Sequence, residues 1–227
     1  MKGKVIGLVG VIGSGKSYTL KRLKEEASNT SRLFIEGDFS EGIRQFIMNI
    51  YVGNEVPIDV NGGAYAKWKA HPNEIALPVF RDDAGNLSCG TITGRKLLQR
   101  VGEYMKSMAG HDVWAKWTKT DVMRDYNKAF YVYPTAKIEE MTITFGSVRF
   151  LCEAQVIFDV AELTNKEPVI IFCNHKSDSY ELNDHISEAF ARHFVSLGYE
   201  DGQDITAEVR RLLLLNSTRD ERFSSVS

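Results

Sequence analysis

Gly10-Val11-Ile12-Gly13-Ser14-Gly15-Lys16-Ser17 is the most informative segment of this 227-residue chain. It matches the pattern G-x-x-x-x-G-K-[ST] at every fixed position. The apolar run at residues 4–9 precedes it and is typical of a buried parallel strand. Residues 17–27 follow with the spacing of an amphipathic helix. The pattern has the strand–loop–helix context it requires, so we predict a phosphate-binding loop at residues 10–17, called the phosphate loop below.

The residue types of this loop suit the triphosphate of ATP or GTP. Glycines let backbone N–H groups turn inward around phosphate oxygens, and the helix that follows directs its N-terminal N–H groups at the same anion. The lysine of the pattern reaches the β and γ phosphates, and the last hydroxyl ligates Mg²⁺. We therefore predict ATP and Mg²⁺ as cofactors, with Lys16 catalytic and Ser17 the metal ligand. The predicted cofactor-binding residues are Gly10, Gly13, Ser14, Gly15, Lys16 and Ser17.

The composition of the chain argues against nucleic-acid and membrane partners. The chain has 43% hydrophobic and 26% charged residues and a formal net charge of −2, with acidic and basic residues interleaved. Nucleic-acid binding needs a clustered basic face, so we expect no nucleic acid partner. No apolar run approaches the ~20 residues of a membrane helix, and the three cysteines are scattered. These features predict a cytoplasmic protein with free thiols and no membrane partner.

Strand and helix patterns alternate along the chain. Strands are predicted at 4–9, 32–36, 141–145, 168–173 and, more weakly, 193–197. Helices are predicted at 17–27, 40–51, 94–108, 112–131, 150–161 and 206–215. This alternation predicts an α/β fold in three layers (α/β/α), with a parallel sheet of about five strands of the P-loop kinase type.

The domain organisation follows from the breaks in this alternation. Residues 52–93 hold three of the five prolines and weak periodicity, so we expect a mostly helical or irregular insertion. A polar stretch at 174–192 is a candidate lid. We predict one P-loop kinase domain at 1–216 and a disordered tail at 217–227.

A phosphate loop alone does not define the reaction. Switch GTPases and motor ATPases add a metal-binding Asp at the end of an apolar strand. The best match is Asp159, but the apolar spacing around it is helical. No guanine-reading NKxD sequence is found. These observations favour a small-molecule kinase, and a non-catalytic NTP-binding module is the alternative.

Later segments carry a resemblance to a known family. Residues 39–44 (FSEGIR) are similar to an F-A-x-P-[LI]-K segment, and 95–102 (RKLLQRVG) to an R-x-L-[LM]-Q-x-x-G helix. Trp114 falls where the family has a tryptophan, 147–154 (SVRFLCEA) resembles D-V-R-F-x-x-E-A, and 185–188 (HISE) matches H-x-S-E. In this order, over nearly the whole chain, the segments resemble the bacteriophage deoxynucleoside monophosphate kinases.

The resemblance implies ATP-dependent phosphorylation of a deoxynucleoside monophosphate to the diphosphate, in the infected bacterial host's cytoplasm, in support of viral DNA replication. It implies that Arg149 is catalytic. Two departures from the family pattern are Ser147 in place of Asp and Gly42 in place of Pro. The substrate-binding residues implied by the match are Arg44, Arg95, Gln99, Trp114, Arg149 and Glu153.

The residues themselves leave alternatives open. Trp114 has the spacing of a core residue, and Arg149 is placed for a structural ion pair with Glu153 one helical turn on. Animal phosphomevalonate kinases resemble the same scaffold, so the acceptor is either a nucleotide or another phosphorylated metabolite. The sequence also leaves open whether the chain forms a homodimer.

Overall fold

The computed structural model describes residues 2–11, 13–50, 67–68, 72–73, 80–81, 87–88, 92–175 and 189–224. Its contacts divide the chain into two compact units. The first consists of Met1–Phe39 and Ala115–Ser227, and the second of Ser40–Trp114. The predicted insertion at 52–93 falls within the second unit. Ile12 of the phosphate loop and residues 176–188 of the predicted lid lie outside the described residues.

The helices and strands are numbered in the order in which they occur along the chain. They are β1 (Lys4–Val9), α1 (Lys16–Asn29), β2 (Phe34–Gly37), α2 (Glu41–Ile50), β3 (Pro72–Asn73), β4 (Phe80–Arg81), β5 (Leu87–Ser88), β6 (Ile92–Thr93), α3 (Gly94–Ala109), α4 (Val113–Val132), α5 (Thr135–Glu140), β7 (Thr142–Val148), α6 (Leu151–Leu163), β8 (Glu167–Phe172), α7 (Ala189–Ser196) and α8 (Thr206–Ser224).

The first unit is built on a parallel sheet in the order β2-β7-β1-β8. Strand β1 pairs in parallel with both β7 and β8, so it is a central strand. This explains its almost continuous apolar sequence, since a central parallel strand is covered on both faces. The carboxyl end of β1 runs into the phosphate loop, at the edge of the sheet where open α/β folds bind their ligands.

Alternate residues of β1 face different helices. Ile6 and Leu8 pack with Leu20 and Leu23 of α1. Val5 and Val9 belong to the main core instead, together with Ile157 of α6. Because successive side chains of a strand point to opposite faces, α1 and α6 cover opposite faces of the sheet. The α/β arrangement with helices on both faces agrees with the prediction.

The predicted fifth strand at 193–197 is wrong. Residues 193–196 belong to α7, in which Ala191 and Phe194 are buried three positions apart, a helical spacing. The described part of the main sheet therefore has four strands rather than about five. Beyond β8 lies the turn before α8, joined to it by a bridge between Ile171 and Asp204. Helix α8 also extends to Ser224, whereas the sequence predicted a disordered tail from 217.

The second unit contains α2, α3 and two small antiparallel strand pairs, β3 with β6 and β4 with β5. Helices α2 and α3 pack together. A Cβ at Gly102 of α3 would lie 3.2 Å from the Cδ1 of Ile43 in α2, so this glycine permits their close approach. Most of the insertion that the sequence predicts at 52–93 as helical or irregular lies outside the described residues, and the part that is described contains these strand pairs.

Candidate functional site

The phosphate loop has the backbone that its glycines predict. Gly13 and Gly15 adopt φ angles of 82° and 86°, in the left-handed region that side chains disfavour. Gly15 is also the N-cap of α1. These two conformations turn the chain sharply between β1 and α1.

Gly10 is required for a different reason, which is close packing. A Cβ at this position would lie 2.3 Å from the carbonyl oxygen of Cys173 and 2.3 Å from the Oγ of Ser14. The loop is thus pressed against the residues that follow β8. Any side chain at position 10 would push the two segments apart.

The N-terminus of α1 suits an anion. Its N-cap Gly15 offers no side chain to accept from the first-turn N–H groups, and that turn contains no acidic residue. The N–H groups of this turn and the positive end of the helix dipole therefore favour a negatively charged ligand. Ser17 lies in the same turn with its side chain exposed.

Lys16 folds back over the loop. Its Nζ donates to the carbonyl oxygens of Gly10 at 2.5 Å and Val11 at 2.7 Å, and lies 3.4 Å from the Oγ of Ser14. Ser14 is itself only 1% exposed. These contacts hold the ammonium charge at the loop, where a phosphate oxygen would add a charge-assisted bond.

Residues 173–175, which follow β8, contact β1 and the phosphate loop. The N–H of Cys173 donates to the carbonyl of Val9 at 2.7 Å, and that of His175 to the carbonyl of Ser14 at 3.2 Å. The Cys173 Sγ lies 3.8 Å from the Oγ1 of Thr19. Burial raises the pKa of the Cys173 thiol, although the hydrogen bond with Thr19 acts in the opposite direction. The protonated thiol is a packing group rather than a nucleophile.

Arg149 follows β7, and its side chain is exposed. Its Nε donates to the Oγ of Ser147 at 3.0 Å, and its backbone N–H donates to Oε2 of Glu153 at 2.7 Å. Glu153, which is 7% exposed, thus meets Arg149 through the backbone at the start of α6. The guanidinium is directed to Ser147, the position at which the family pattern has Asp.

Two of the predicted acceptor residues lie on α3 in the second unit. Arg95 is exposed in the first turn, and Gln99 is half-buried one turn later. Helix α3 begins at a side-chain cap, because Thr93 accepts a hydrogen bond from the N–H of Lys96 at 3.2 Å. Arg95 and Gln99 therefore project from a helix whose N-terminus is capped by a side chain.

Arg44 and Trp114, also in the second unit, are buried. Arg44 is 6% exposed, donates to the Oγ of Ser40 at 2.8 Å and forms a salt bridge with Glu41. Trp114 is 6% exposed, and its indole N–H donates to the carbonyl of Gly102 at 3.1 Å. This burial matches the core-packing interpretation of Trp114 and leaves little of its ring surface accessible.

The structure divides the predicted site residues between the units. The phosphate loop, Arg149 and Glu153 belong to the first unit, while Arg44, Arg95, Gln99 and Trp114 belong to the second. Asp159 lies on α6, as its spacing indicated, and pairs with Lys119 at 2.7 Å.

Sequence reasoning missed the contribution of Cys173 and His175 to the phosphate loop. No local pattern marks these residues, and only the pairing of β8 with β1 brings them to the loop.

None of the helices described is long and apolar enough to cross a membrane. Within the same ranges, His, Cys, Asp and Glu side chains form no group of three that could hold a metal ion.

Comparisons with known proteins do not assign the chain to a family. No protein-family profile matches it, and no curated protein does. Among solved structures, a cysteine-to-alanine mutant of the APS kinase CysC from Mycobacterium tuberculosis is similar over 87% of this chain and 98% of its own. The sequence identity is 11% and the TM-score 0.29, a degree of likeness that supports no conclusion about function.

Proposed function

We propose that this protein is a kinase that transfers the γ-phosphoryl group of ATP to a small phosphorylated acceptor, with a deoxynucleoside monophosphate as the preferred acceptor. The observation that carries the proposal is the phosphate loop: two glycines with positive φ, an uncapped helix N-terminus and the Lys16 ammonium converge on one short segment. Together they supply backbone N–H groups and a positive charge for a triphosphate.

The residues present fit both cofactors. A Cβ at Gly10 would collide with its neighbours, so the loop is kept narrow enough for backbone N–H groups to approach phosphate oxygens. The exposed hydroxyl of Ser17 is available to Mg²⁺, which usually takes few protein ligands and several phosphate and water oxygens. Bound Mg²⁺ would neutralise charge on the β and γ phosphates.

Catalysis by this chain would come from positioning and charge. Lys16 would hold the β and γ phosphates, and Arg149 would neutralise the group in transfer, from the carboxyl edge of the sheet. Its hydrogen bond with Ser147 would orient the guanidinium. The transfer needs little covalent chemistry from the protein, so no general base is assigned.

The nucleotide acceptor rests on the resemblance to bacteriophage kinases. Arg95 would bind the acceptor phosphate, and Gln99 would hydrogen-bond the base or sugar, since the two project from one side of α3. Arg44 would act with Ser40 and Glu41 to shape the acceptor site. The product would be a deoxynucleoside diphosphate for viral DNA synthesis.

A second acceptor class is favoured by one observation. Trp114 is 6% exposed and its N–H is bonded to Gly102, so it offers little surface on which a base could stack. A phosphorylated metabolite without a base, such as phosphomevalonate, would need the arginine but no aromatic face. The two classes therefore have to be separated by experiment.

The test is an ADP-release assay with MgATP and each common ribo- and deoxynucleoside monophosphate, with phosphomevalonate included. We expect ADP formation that requires an acceptor and is fastest with a deoxynucleotide. If phosphomevalonate were the only acceptor to give ADP, the proposed acceptor would be wrong and the proposed kinase activity would stand. ATP binding without any acceptor-dependent turnover would instead favour a non-catalytic NTP-binding module.

A further inference from the structure

Asp38 is the first residue after β2, at the carboxyl edge of the main sheet. The residues in the same position after β1, β7 and β8 are uncharged or basic: Gly10, Arg149 and Cys173. Open α/β sheets bind their ligands at this edge. The Asp38 carboxylate therefore offers, on the ligand-binding side of the sheet, oxygen atoms of the kind that Mg²⁺ prefers.

The neighbours of Asp38 in β2 show on which face of the sheet its side chain lies. Glu36 forms an ion pair with Lys24 of α1 at 3.5 Å, so Glu36 is on the face that α1 covers. Gly37 is on the other face, where a Cβ would lie 2.7 Å from the ring of Phe145 in the main core. Because side chains alternate between the faces of a sheet, position 38 returns to the face of α1.

The main chain at Asp38 is held in place by packing and by a hydrogen bond. Phe39 is only 4% exposed, and its ring stacks on that of Phe145 with the centroids 5.3 Å apart. The Oγ1 of Thr118 in α4 donates to the backbone carbonyl of Asp38 at 3.4 Å. None of these contacts involves the carboxylate, so a substitution that changes only its charge leaves them intact.

The first turn of α1 lies over the same part of the sheet. The register of β2 and β7 puts Asp38 beside Gly146, roughly 5 Å away at the spacing of paired strands. A Cβ on Gly146 would lie 2.8 Å from the Cδ2 of Leu20 in α1. Ser17 precedes Leu20 by about one helical turn and is therefore closer to the carboxyl edge. Asp38 and the predicted metal ligand Ser17 thus share one face and one edge of the sheet.

We propose that Asp38 is a further residue for the Mg²⁺ of the bound nucleotide and that it acts through the water ligands of the metal. This inference rests on the proposed nucleotide site. Strand β7 lies between β2 and β1, so two strand spacings, ~10 Å, separate Asp38 from the end of β1, which suits a contact through water. Residues 147–149, at the end of β7, include no acidic side chain, so the carboxylate comes from β2 instead.

The chemistry of Mg²⁺ explains what such a carboxylate would do. Mg²⁺ usually keeps several waters when it is bound to phosphates and one or two protein oxygens. Asp38 would accept hydrogen bonds from those waters and orient them, as groups around a metal commonly do. Its negative charge would also favour MgATP over metal-free ATP, whose triphosphate it repels. Asp38 would therefore make nucleotide binding depend on the metal.

The experiment is a calorimetric titration of ATP into the full chain and its variants, once with excess Mg²⁺ and once with EDTA. We expect Asp38→Asn to bind MgATP about tenfold more weakly than the wild type, because the bound waters lose their charged acceptor. Metal-free ATP should bind to this variant no more weakly than to the wild type, because the substitution removes a negative charge. The melting temperature should not change, since the amide is as large as the carboxylate.

Glu36→Gln is the matched control, because it removes an acidic group from the same strand and face, two residues before Asp38 and paired with Lys24. The ratio of the Kd values for MgATP and metal-free ATP should stay at its wild-type value in this variant. A wild-type ratio in Asp38→Asn would overturn this inference alone. Equal weakening of both forms of ATP, or the same change of ratio in Glu36→Gln, would also overturn it. A wild-type chain that binds neither form would overturn the proposed function as well.

Discussion

Helices α1 and α3 both follow a strand, one in each unit, and their first turns are completed in opposite ways. At α3, the Thr93 side chain accepts from the N–H of Lys96, so one of the first N–H groups of that helix is bonded to a side chain of the chain itself. At α1, the N-cap is Gly15, which has no side chain, and its φ of 86° is one that other residues avoid. A helix whose only requirement is stability gains from a cap. We infer that α1 omits it because a ligand completes that turn.

The same contrast extends to the charged side chains of the two units. Lys16 is held at the loop by carbonyl oxygens of that loop, so its charge and the open helix terminus coincide. Arg95 projects from a capped helix into solvent, and Arg44 is buried against Glu41. One unit thus has a helix start without a side-chain cap next to a lysine, while the other has separate cationic side chains. Four substitutions test this contrast, in order of decreasing effect.

Replacement of Lys16 should have the largest effect. Lys16→Ala removes the only side-chain charge of the phosphate loop, and we expect kcat to fall by ~10³ in a chain that still folds. Lys21→Ala is the matched control, because Lys21 lies on the same helix with its side chain 75% exposed. Steady-state kinetics with circular dichroism distinguish the two. Near-normal turnover by folded Lys16→Ala would contradict the proposed role of the phosphate loop in phosphoryl transfer.

Replacement of Arg149 should come next. Arg149→Ala is expected to lower kcat by ~10² with little change in the Kd of ATP, because its contact with the transferred group is strongest in the transition state. The conservative Ser147→Ala change removes its hydrogen-bond partner and should give a smaller loss in kcat. Normal kcat in Arg149→Ala would leave Arg149 with only its role beside Glu153.

Replacement of Arg95 tests the second unit. Arg95→Ala should raise the KM of the acceptor by roughly tenfold and leave the KM of ATP unchanged, as expected for loss of one charge-assisted phosphate contact. Lys96→Ala, the exposed neighbour on α3, is the control. An equal effect of both substitutions would indicate general electrostatic attraction rather than a specific contact.

The cap of α3 should give the smallest effect on function. Thr93→Ala is expected to lower the free energy of unfolding by ~1 kcal/mol, and Thr93→Ser, which restores the hydroxyl, should recover most of it. Urea denaturation measures both. The Kd of ATP should not change, and a weaker Kd would show that a capped helix start also contributes to the nucleotide site.

The fold could be predicted largely because its decisive signals are local. β1, the phosphate loop and α1 are consecutive in sequence, and the period of the apolar residues changes at the loop. The segment 193–197 was misassigned because a few apolar residues such as Phe194 fit either period, and burial in a helix decided the outcome. Strand pairs of two residues in the second unit are too short to leave a periodic pattern.

The site could be predicted only where one segment contains it. The loop residues are neighbours in the chain, whereas Cys173 and His175 come to the loop through the pairing of β8 with β1. Nothing in their spacing marks such an arrangement. The spacing of Trp114 indicated a core residue, whereas its hydrogen bond could not be predicted, since it depends on the packing of Trp114 against α3 at Gly102.

Binding of the triphosphate of ATP by the phosphate loop can be tested by a displacement titration. A fluorescent ATP analogue bound to the wild-type chain with Mg²⁺ is challenged with ATP, inorganic tripolyphosphate and adenosine, and the titration is repeated with Lys16→Ala. We expect displacement by ATP and tripolyphosphate, no displacement by adenosine, and weakened analogue binding in the variant. Displacement by adenosine but not by tripolyphosphate, with equal analogue affinity in Lys16→Ala, would contradict it.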